Sequence, residues 1–71
     1  MMFGKVKNVF FVGIGGIGMS GIAELLHNQK FNITGSDLTQ STNVDRLQKL
    51  NIEISIGHKA ENINGSDIVV Y

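Results

Sequence analysis

The chain has 71 residues, with six basic and six acidic side chains and neither cysteine nor proline. This length allows one small domain. The balanced charge and the lack of a basic patch argue against nucleic acid as a partner. No apolar run approaches the roughly 20 residues of a membrane span, and the start lacks the features of a secretory signal. Without cysteine there are no disulfides or thiolate metal sites, which favours the cytoplasm.

Strand-like and helix-like patterns alternate along the first half of the chain. A continuous apolar run over 8–13 is typical of a parallel strand covered on both faces. A helix is predicted over 16–29, and a second strand over 31–36 ends at Asp37. Helical spacing predicts that one face of the first helix is buried, formed by Met19, Ile22, Ala23, Leu25 and Leu26.

A second helix and two further strands follow. Ser41 or Thr42 can cap this helix, since Thr42-x-x-Asp45 resembles a capping box, and Asn51 is suited to a left-handed end. Alternating isoleucines over 52–56 predict a half-exposed third strand at a sheet edge. A loop over 57–66 leads to a fourth strand.

This order predicts an α/β fold: a Rossmann-like parallel sheet of strand order 3-2-1-4 with flanking helices. The loop after the first strand then lies where ligands bind in open α/β sheets. Residues 67–71, DIVVY, read as a strand in progress, so we expect a fragment of a longer protein. Its unpaired sheet edge predicts self-association.

A glycine-rich turn between the first strand and the first helix is the main functional signal. Gly13, Gly15 and Gly18 match the dinucleotide-binding fingerprint, and Gly16 adds a further glycine. At the helix start, unpaired N–H donors from about Ile17 to Ser20 would favour an anion such as a phosphate. The alternative is that these glycines only pack the helix against the strand.

Three polar side chains are candidates for the same site. Asp37 follows Gly18 by 19 residues, where a carboxylate usually binds ribose hydroxyls, although it could be a turn or cap residue. The Ser20 hydroxyl could join the phosphate site or satisfy the first helical turn. His58 follows the third strand on the ligand side, or is an exposed loop histidine.

No catalytic residue and no metal ligand is predicted. The chain lacks the glycine-lysine loop that binds ATP phosphates, a recognisable nucleophile–base pair and a carboxylate cluster for Mg²⁺. Two distant histidines do not make a metal site. We expect the basic residues to be solvated, namely Arg46, Lys49 and Lys59. The segment is therefore predicted to bind a ligand and not to catalyse, with no cofactor of its own.

The stretch 11–24, FVGIGGIGMSGIAE, resembles the opening of the bacterial Mur ligases, and most closely the branch that joins L-alanine to UDP-N-acetylmuramate. Further matches are Gly35-Ser36-Asp37-Leu38, Arg46-Leu47, Ile56-Gly57-His58 and Glu61-Asn62. The resemblance covers 8–71. Asn51 stands where the family often has glycine, and the chain is much shorter than a family member.

The resemblance implies a three-domain ligase of cytoplasmic peptidoglycan synthesis, and so a role in cell wall biogenesis, cell shape and cell division. The first domain binds the UDP part of UDP-N-acetylmuramate. The central domain binds ATP, and with Mg²⁺ the enzyme forms an acyl phosphate that L-alanine attacks. Residues 1–71 would be a fragment of the first domain, inactive alone.

Carried over by position, the resemblance implies roles for single residues. The diphosphate would lie against Gly13, Gly15, Gly16, Ile17, Gly18, Met19 and Ser20. Asp37 would face the uridine ribose, and His58 would line the same cleft. Three alternatives are a NAD-binding module, the related Mur ligase that attaches recycled peptide, and a non-enzymatic domain that uses the sheet as a scaffold.

Overall fold

A computed structural model describes residues 7–57, 63 and 65–71. Its elements in chain order are β1 (Asn8–Val12), α1 (Ile17–Asn28), β2 (Asn32–Asp37), α2 (Thr42–Lys49), β3 (Glu53–Ile56) and β4 (Ile68–Val70). The four strands form one sheet in the order β3-β2-β1-β4, and each neighbouring pair is parallel. The α/β class and the predicted strand order are confirmed.

The strand register brings the functional candidates to one edge of the sheet. Val12, the last residue of β1, pairs with Ser36, and Asp37 at the end of β2 pairs with Ile56 at the end of β3. Because the strands are parallel, the turns that follow them all leave from this carboxyl edge. The edge position of β3 agrees with its alternating isoleucines, since Ile56 is 40% exposed.

Both helices pack on the same face of the sheet. Ala23 from α1 and Leu47 from α2 are fully buried in one cluster with five other residues, Val9, Phe11, Ile14, Ile33 and Ile52. Phe10 points to the opposite face and is also buried. Burial of three successive residues in β1 confirms the interpretation of its continuous apolar run.

The apolar face of α1 is narrower than predicted. Ala23 is buried and Met19 and Leu26 pack against the core, but Ile22 is 49% exposed and Leu25 is 57% exposed. The prediction that these two residues are buried was wrong, because the helix contacts the sheet along one side only. Among the described residues, no helix is long and apolar enough to span a bilayer.

The cap of α2 was also predicted only in part. The Ser41 side chain accepts a hydrogen bond from the Val44 N–H at 3.2 Å, so Ser41 is the N-cap and Thr42 is the first helical residue. The capping box predicted from Thr42 is therefore wrong, because the N-cap is the residue before it. Asn51 has φ of 69°, which confirms the predicted left-handed end.

The Asp67 carboxylate fastens the start of β1 to the start of β4. One oxygen, Oδ2, accepts hydrogen bonds from the N–H groups of Lys7 and Asn8, both at 2.9 Å. The Asp67 N–H in turn donates to the Asn8 carbonyl at 2.8 Å. The hydrogen bonds from the Asn8 and Lys7 N–H groups favour the ionised carboxylate and hold the pKa of Asp67 below its ordinary value.

We expect Asp67→Asn to lower stability at neutral pH and to remove part of the acid sensitivity of the fold. A lowered folded-state pKa stabilises the fold above the unfolded-state pKa, and this contribution is lost as pH falls through the folded-state pKa. The difference between wild type and variant should therefore shrink between about pH 5 and pH 2. Urea unfolding midpoints of both proteins across this pH range measure the difference in stability.

Glu53→Gln is the matched control, since it removes one negative charge from an exposed residue of the edge strand. If the difference in urea midpoint between wild type and Asp67→Asn stays constant across the acid range, the ionised Asp67 carboxylate is not the group that stabilises the fold.

Candidate functional site

The turn after β1 is fastened to the end of β2 by backbone hydrogen bonds. The N–H groups of Gly13 and Ile14 both donate to the Ser36 carbonyl, at 2.8 and 3.0 Å. This geometry requires φ of +74° at Gly13, which residues with a Cβ rarely adopt. The first glycine of the fingerprint is thus explained by backbone conformation.

Gly15 is glycine for a different reason, which is crowding. A Cβ at this position would lie 2.8 Å from Asp37 Oδ2 and 2.8 Å from Val44 Cγ2. Its N–H donates to Asp37 Oδ2 at 2.8 Å, and its carbonyl accepts from Asn43 Nδ2 at 3.0 Å. The Gly15 backbone is therefore held on both sides by residues of β2 and α2.

Helix α1 begins without a side-chain cap. Gly16 is the N-cap, and its N–H donates to the Gly13 carbonyl at 3.0 Å. Among the described residues, no acceptor is found for the N–H groups of Ile17, Gly18 and Met19. The first turn holds no acidic residue, and residues 16–18 are exposed. Three donors at the positive end of a helix dipole are thus left without an acceptor among the described residues, which suits an anion.

Ser20 differs from its predicted role in the phosphate site. Its N–H donates to the Gly16 carbonyl at 2.8 Å, as in an ordinary helix, and is not free for a ligand. Its hydroxyl is buried and donates to the Ile17 carbonyl at 3.3 Å. Of the two alternatives for this hydroxyl, the structure shows the one within the first helical turn.

Asp37 joins two turns of the carboxyl edge. Its Oδ2 accepts from the Gly15 N–H, and its Oδ1 accepts from the Thr39 N–H at 3.3 Å. Its backbone carbonyl accepts from the Gly57 N–H at 2.8 Å, which ties the end of β3 to the same point. The carboxylate is partly exposed, so lone pairs remain for a ligand. Ribose binding by Asp37 stays a prediction.

The remaining candidate, His58, lies outside the described residues. It follows Gly57, whose φ of 106° is a conformation that suits glycine. The predicted place of His58 in the cleft therefore stays a prediction. Among the described residues, no group of three His, Cys, Asp or Glu side chains could hold a metal ion.

Sequence reasoning missed two residues that shape the site. Gly35 in β2 allows Ile14 to pack, because a Cβ there would lie 2.6 Å from Ile14 Cδ1. Glycine inside a strand signals such a close approach, so this role could have been found. Asn43 holds the Gly15 carbonyl from 28 residues away, and no local pattern indicates that contact.

Comparison with known proteins agrees with this geometry. Residues 8–71 match the family profile described as "Mur ligase family, catalytic domain". The chain belongs to the Mur ligase family. The predicted resemblance to this family is thereby confirmed.

Individual Mur ligases are similar over nearly the whole chain. A UDP-N-acetylmuramate–L-alanine ligase of Legionella pneumophila (strain Corby) is 60% identical over 67 residues, which are 94% of this chain and 14% of that protein. The Sorangium cellulosum enzyme of the same name is 54% identical over 71 residues, which are 100% of this chain and 15% of that protein.

A solved Mur ligase has the same fold. The crystal structure of UDP-N-acetylmuramate-alanine ligase MurC from Thermotoga maritima superposes with a TM-score of 0.83 and 37% sequence identity. The match covers 87% of this chain and 14% of that protein. The chain thus spans about one seventh of the length of these relatives.

The open space around Gly18 and the crowding around Gly15 predict opposite effects of alanine on stability. Gly15→Ala should lower the free energy of unfolding by about 1–3 kcal/mol, because the methyl group would overlap Asp37 and Val44. A Cβ at Gly18 meets nothing within 4 Å, and alanine favours helix by up to about 1 kcal/mol. Urea unfolding followed by circular dichroism measures both.

Gly21→Ala is the matched control, since its Cβ also meets nothing within 4 Å and it lies one turn further along α1. Equal destabilisation by all three alanines would show that crowding at Gly15 is not the reason for its glycine.

Proposed function

We propose that this chain binds the UDP part of UDP-N-acetylmuramate, as part of the first domain of an ATP-dependent ligase that joins L-alanine to this substrate. The observation that carries the proposal is the uncapped start of α1. It presents the N–H groups of Ile17, Gly18 and Met19 beside the glycine turn. Relatives that are 60% and 54% identical to this chain, over 67 and 71 residues, are named for that substrate and amino acid.

Each part of the turn has a role in holding the diphosphate. Gly13 turns the chain after β1, and Gly15 fixes the start of the helix against β2 and α2. Gly16 and Gly18 leave the donors open, since neither has a side chain beyond Cα. The diphosphate carries negative charge, which the helix dipole and the three N–H groups stabilise without a basic side chain.

The other half of the proposed site is Asp37. A carboxylate accepts hydrogen bonds from ribose hydroxyls, and this one lies at the carboxyl edge of the sheet, next to Gly15. We place the uridine ribose there and the diphosphate at the start of α1. His58, next along the chain after Gly57, would complete the cleft.

ATP and Mg²⁺ would act elsewhere in the longer protein. The described residues offer no cluster of metal-ligating side chains, and the sequence has no glycine-lysine phosphate loop. We therefore assign no step of the ligation to these residues. In the bacterial cytoplasm, the longer enzyme would activate the muramoyl carboxylate and add L-alanine, an early step of peptidoglycan synthesis.

Titration of the ¹⁵N-labelled chain tests this function. Adding UDP-N-acetylmuramate should shift the amide signals of Ile17, Gly18 and Met19, with smaller shifts near Asp37. NAD is titrated into a second sample. Shifts of these amides with NAD alone would instead assign a NAD-binding module, and no response to either compound would favour a scaffold domain.

A chimera tests the same function in a complete enzyme. The chain replaces the matching segment of the Legionella pneumophila relative, and ATP-dependent ligation of L-alanine to UDP-N-acetylmuramate is measured. We expect turnover by the chimera and none by the 71-residue chain. Turnover by the isolated chain would overturn the proposal that these residues only bind the substrate and that ligation needs the rest of the longer protein.

Gly18→Ala should weaken binding of UDP-N-acetylmuramate about tenfold, which corresponds to about 1.4 kcal/mol. The added methyl group lies in open space in the structure, where we place the diphosphate, and would keep the phosphate from the backbone. Gly21→Ala, further along the helix, should leave affinity unchanged. Unchanged affinity of Gly18→Ala would place the ligand elsewhere.

Self-association of the isolated chain remains a prediction. β4 pairs only with β1 among the described strands, so its other side offers unpaired backbone groups to a second molecule. Ile22, Leu25 and Ile68 are also substantially exposed. Sedimentation at increasing protein concentration should show dimers or larger species, and a monomer throughout would contradict this expectation.

A further inference from the structure

We propose that Asn43 is a positioning residue of the phosphate site. Its amide holds the Gly15 carbonyl toward α2, so that this oxygen does not turn toward the diphosphate. The inference rests on the proposed function, because it concerns the same anion. It assigns a role to a residue that belongs to neither the glycine turn nor the proposed ligand contacts.

The peptide group between Gly15 and Gly16 needs to be held. It has glycine on both sides, so its rotation meets little steric resistance. Its N–H donates to the Gly13 carbonyl at 3.0 Å, and its oxygen accepts from Asn43 Nδ2 at 3.0 Å. Within the described part of the chain, Asn43 is thus the one side chain that forms a hydrogen bond with this peptide group.

The orientation of the Asn43 amide is fixed by its second partner. Arg46 NH1 donates to Asn43 Oδ1 at 3.5 Å, and an arginine can only donate, whereas a carbonyl can only accept. The Asn43 oxygen therefore faces Arg46 and its nitrogen faces Gly15.

Arg46 is in turn held by α1. Its NH2 lies 3.4 Å from Glu24 Oε1, and both side chains are partly exposed. Arg46 is exposed, as predicted, and its guanidinium also lies in this surface ion pair. Contacts run from Glu24 through Arg46 and Asn43 to Gly15, and so join the two helices to the turn at the start of α1.

The electrostatic reason for this arrangement is the sign of the ligand. A carbonyl oxygen carries partial negative charge and would repel phosphate oxygens if it faced the open N–H groups of residues 17–19. With the Gly15 oxygen bound by Asn43, only donors face the anion. Loss of the Asn43 amide leaves that oxygen without this partner and weakens the hold on the peptide group, whose N–H still donates to the Gly13 carbonyl.

The test is the affinity of the 71-residue chain for UDP-N-acetylmuramate with Asn43 replaced. Asn43→Ala and Asn43→Asp are compared, since the aspartate keeps the shape but its carboxylate cannot donate to Gly15. We expect a Kd raised about fivefold for alanine and more for aspartate. Asn28→Ala, at the exposed end of α1, is the control and should leave Kd unchanged.

Two readouts separate positioning from loss of folding. Folded and unfolded amide signals give the folded fraction, and a purely structural role raises the apparent Kd only by the inverse of that fraction. In the chimeric enzyme, positioning predicts a higher KM for UDP-N-acetylmuramate at unchanged kcat, because uniform binding is lost. A lower kcat at unchanged KM would show a structural role and overturn the inference.

Failure of this inference differs from failure of the proposed function. If the wild-type chain binds UDP-N-acetylmuramate and both Asn43 variants keep its Kd after correction for folding, only the role of Asn43 is refuted. If the wild-type chain does not bind and the wild-type chimera is inactive, the proposed function fails and the role of Asn43 fails with it.

Discussion

The hydrogen bond from the Gly15 N–H to Asp37 Oδ2 at 2.8 Å is the contact on which the carboxyl edge of this sheet depends. Helix α1 begins two residues after Gly15, so the position of Gly15 decides where the first helical N–H groups point. The same aspartate accepts from Thr39 through its side chain and from Gly57 through its backbone. One residue therefore connects the turns after β1, β2 and β3.

Polar and apolar contacts fix this turn from opposite sides. Ser36 accepts both N–H groups at the start of the turn, while the fully buried side chain of Ile14 packs against Gly35. A methyl group at Gly35 would displace Ile14, and one at Gly15 would overlap Asp37 and Val44. These four glycines thus differ in their surroundings: a positive φ at Gly13, close packing at Gly15 and Gly35, and open space at Gly18.

The fold was largely predictable because alternating strands and helices with right-handed crossovers leave few possible strand orders. Periodicity indicates an apolar stripe on α1, but it does not show how much of that stripe the sheet covers. For this reason the exposure of Ile22 and Leu25 was missed. Spacing placed Asp37 at the correct edge, yet it could not reveal that backbone N–H groups already occupy both carboxylate oxygens. The Asn43 contact joins residues far apart in sequence and has no local signature.

The site combines two halves of opposite polarity within one short turn. The start of α1 offers only donors and suits an anion, whereas Asp37 is an acceptor and suits hydroxyl groups. An anion at Asp37 would meet a negative charge, and a hydroxyl at the helix start would leave the dipole uncompensated. A nucleoside diphosphate carries an anion and ribose hydroxyls a few bonds apart, so it matches both halves in one orientation. Because Gly15 is bound to Asp37 on one side and Asn43 on the other, the two halves hold a fixed relation, and that relation would set the direction of the proposed ligand along the edge of the sheet.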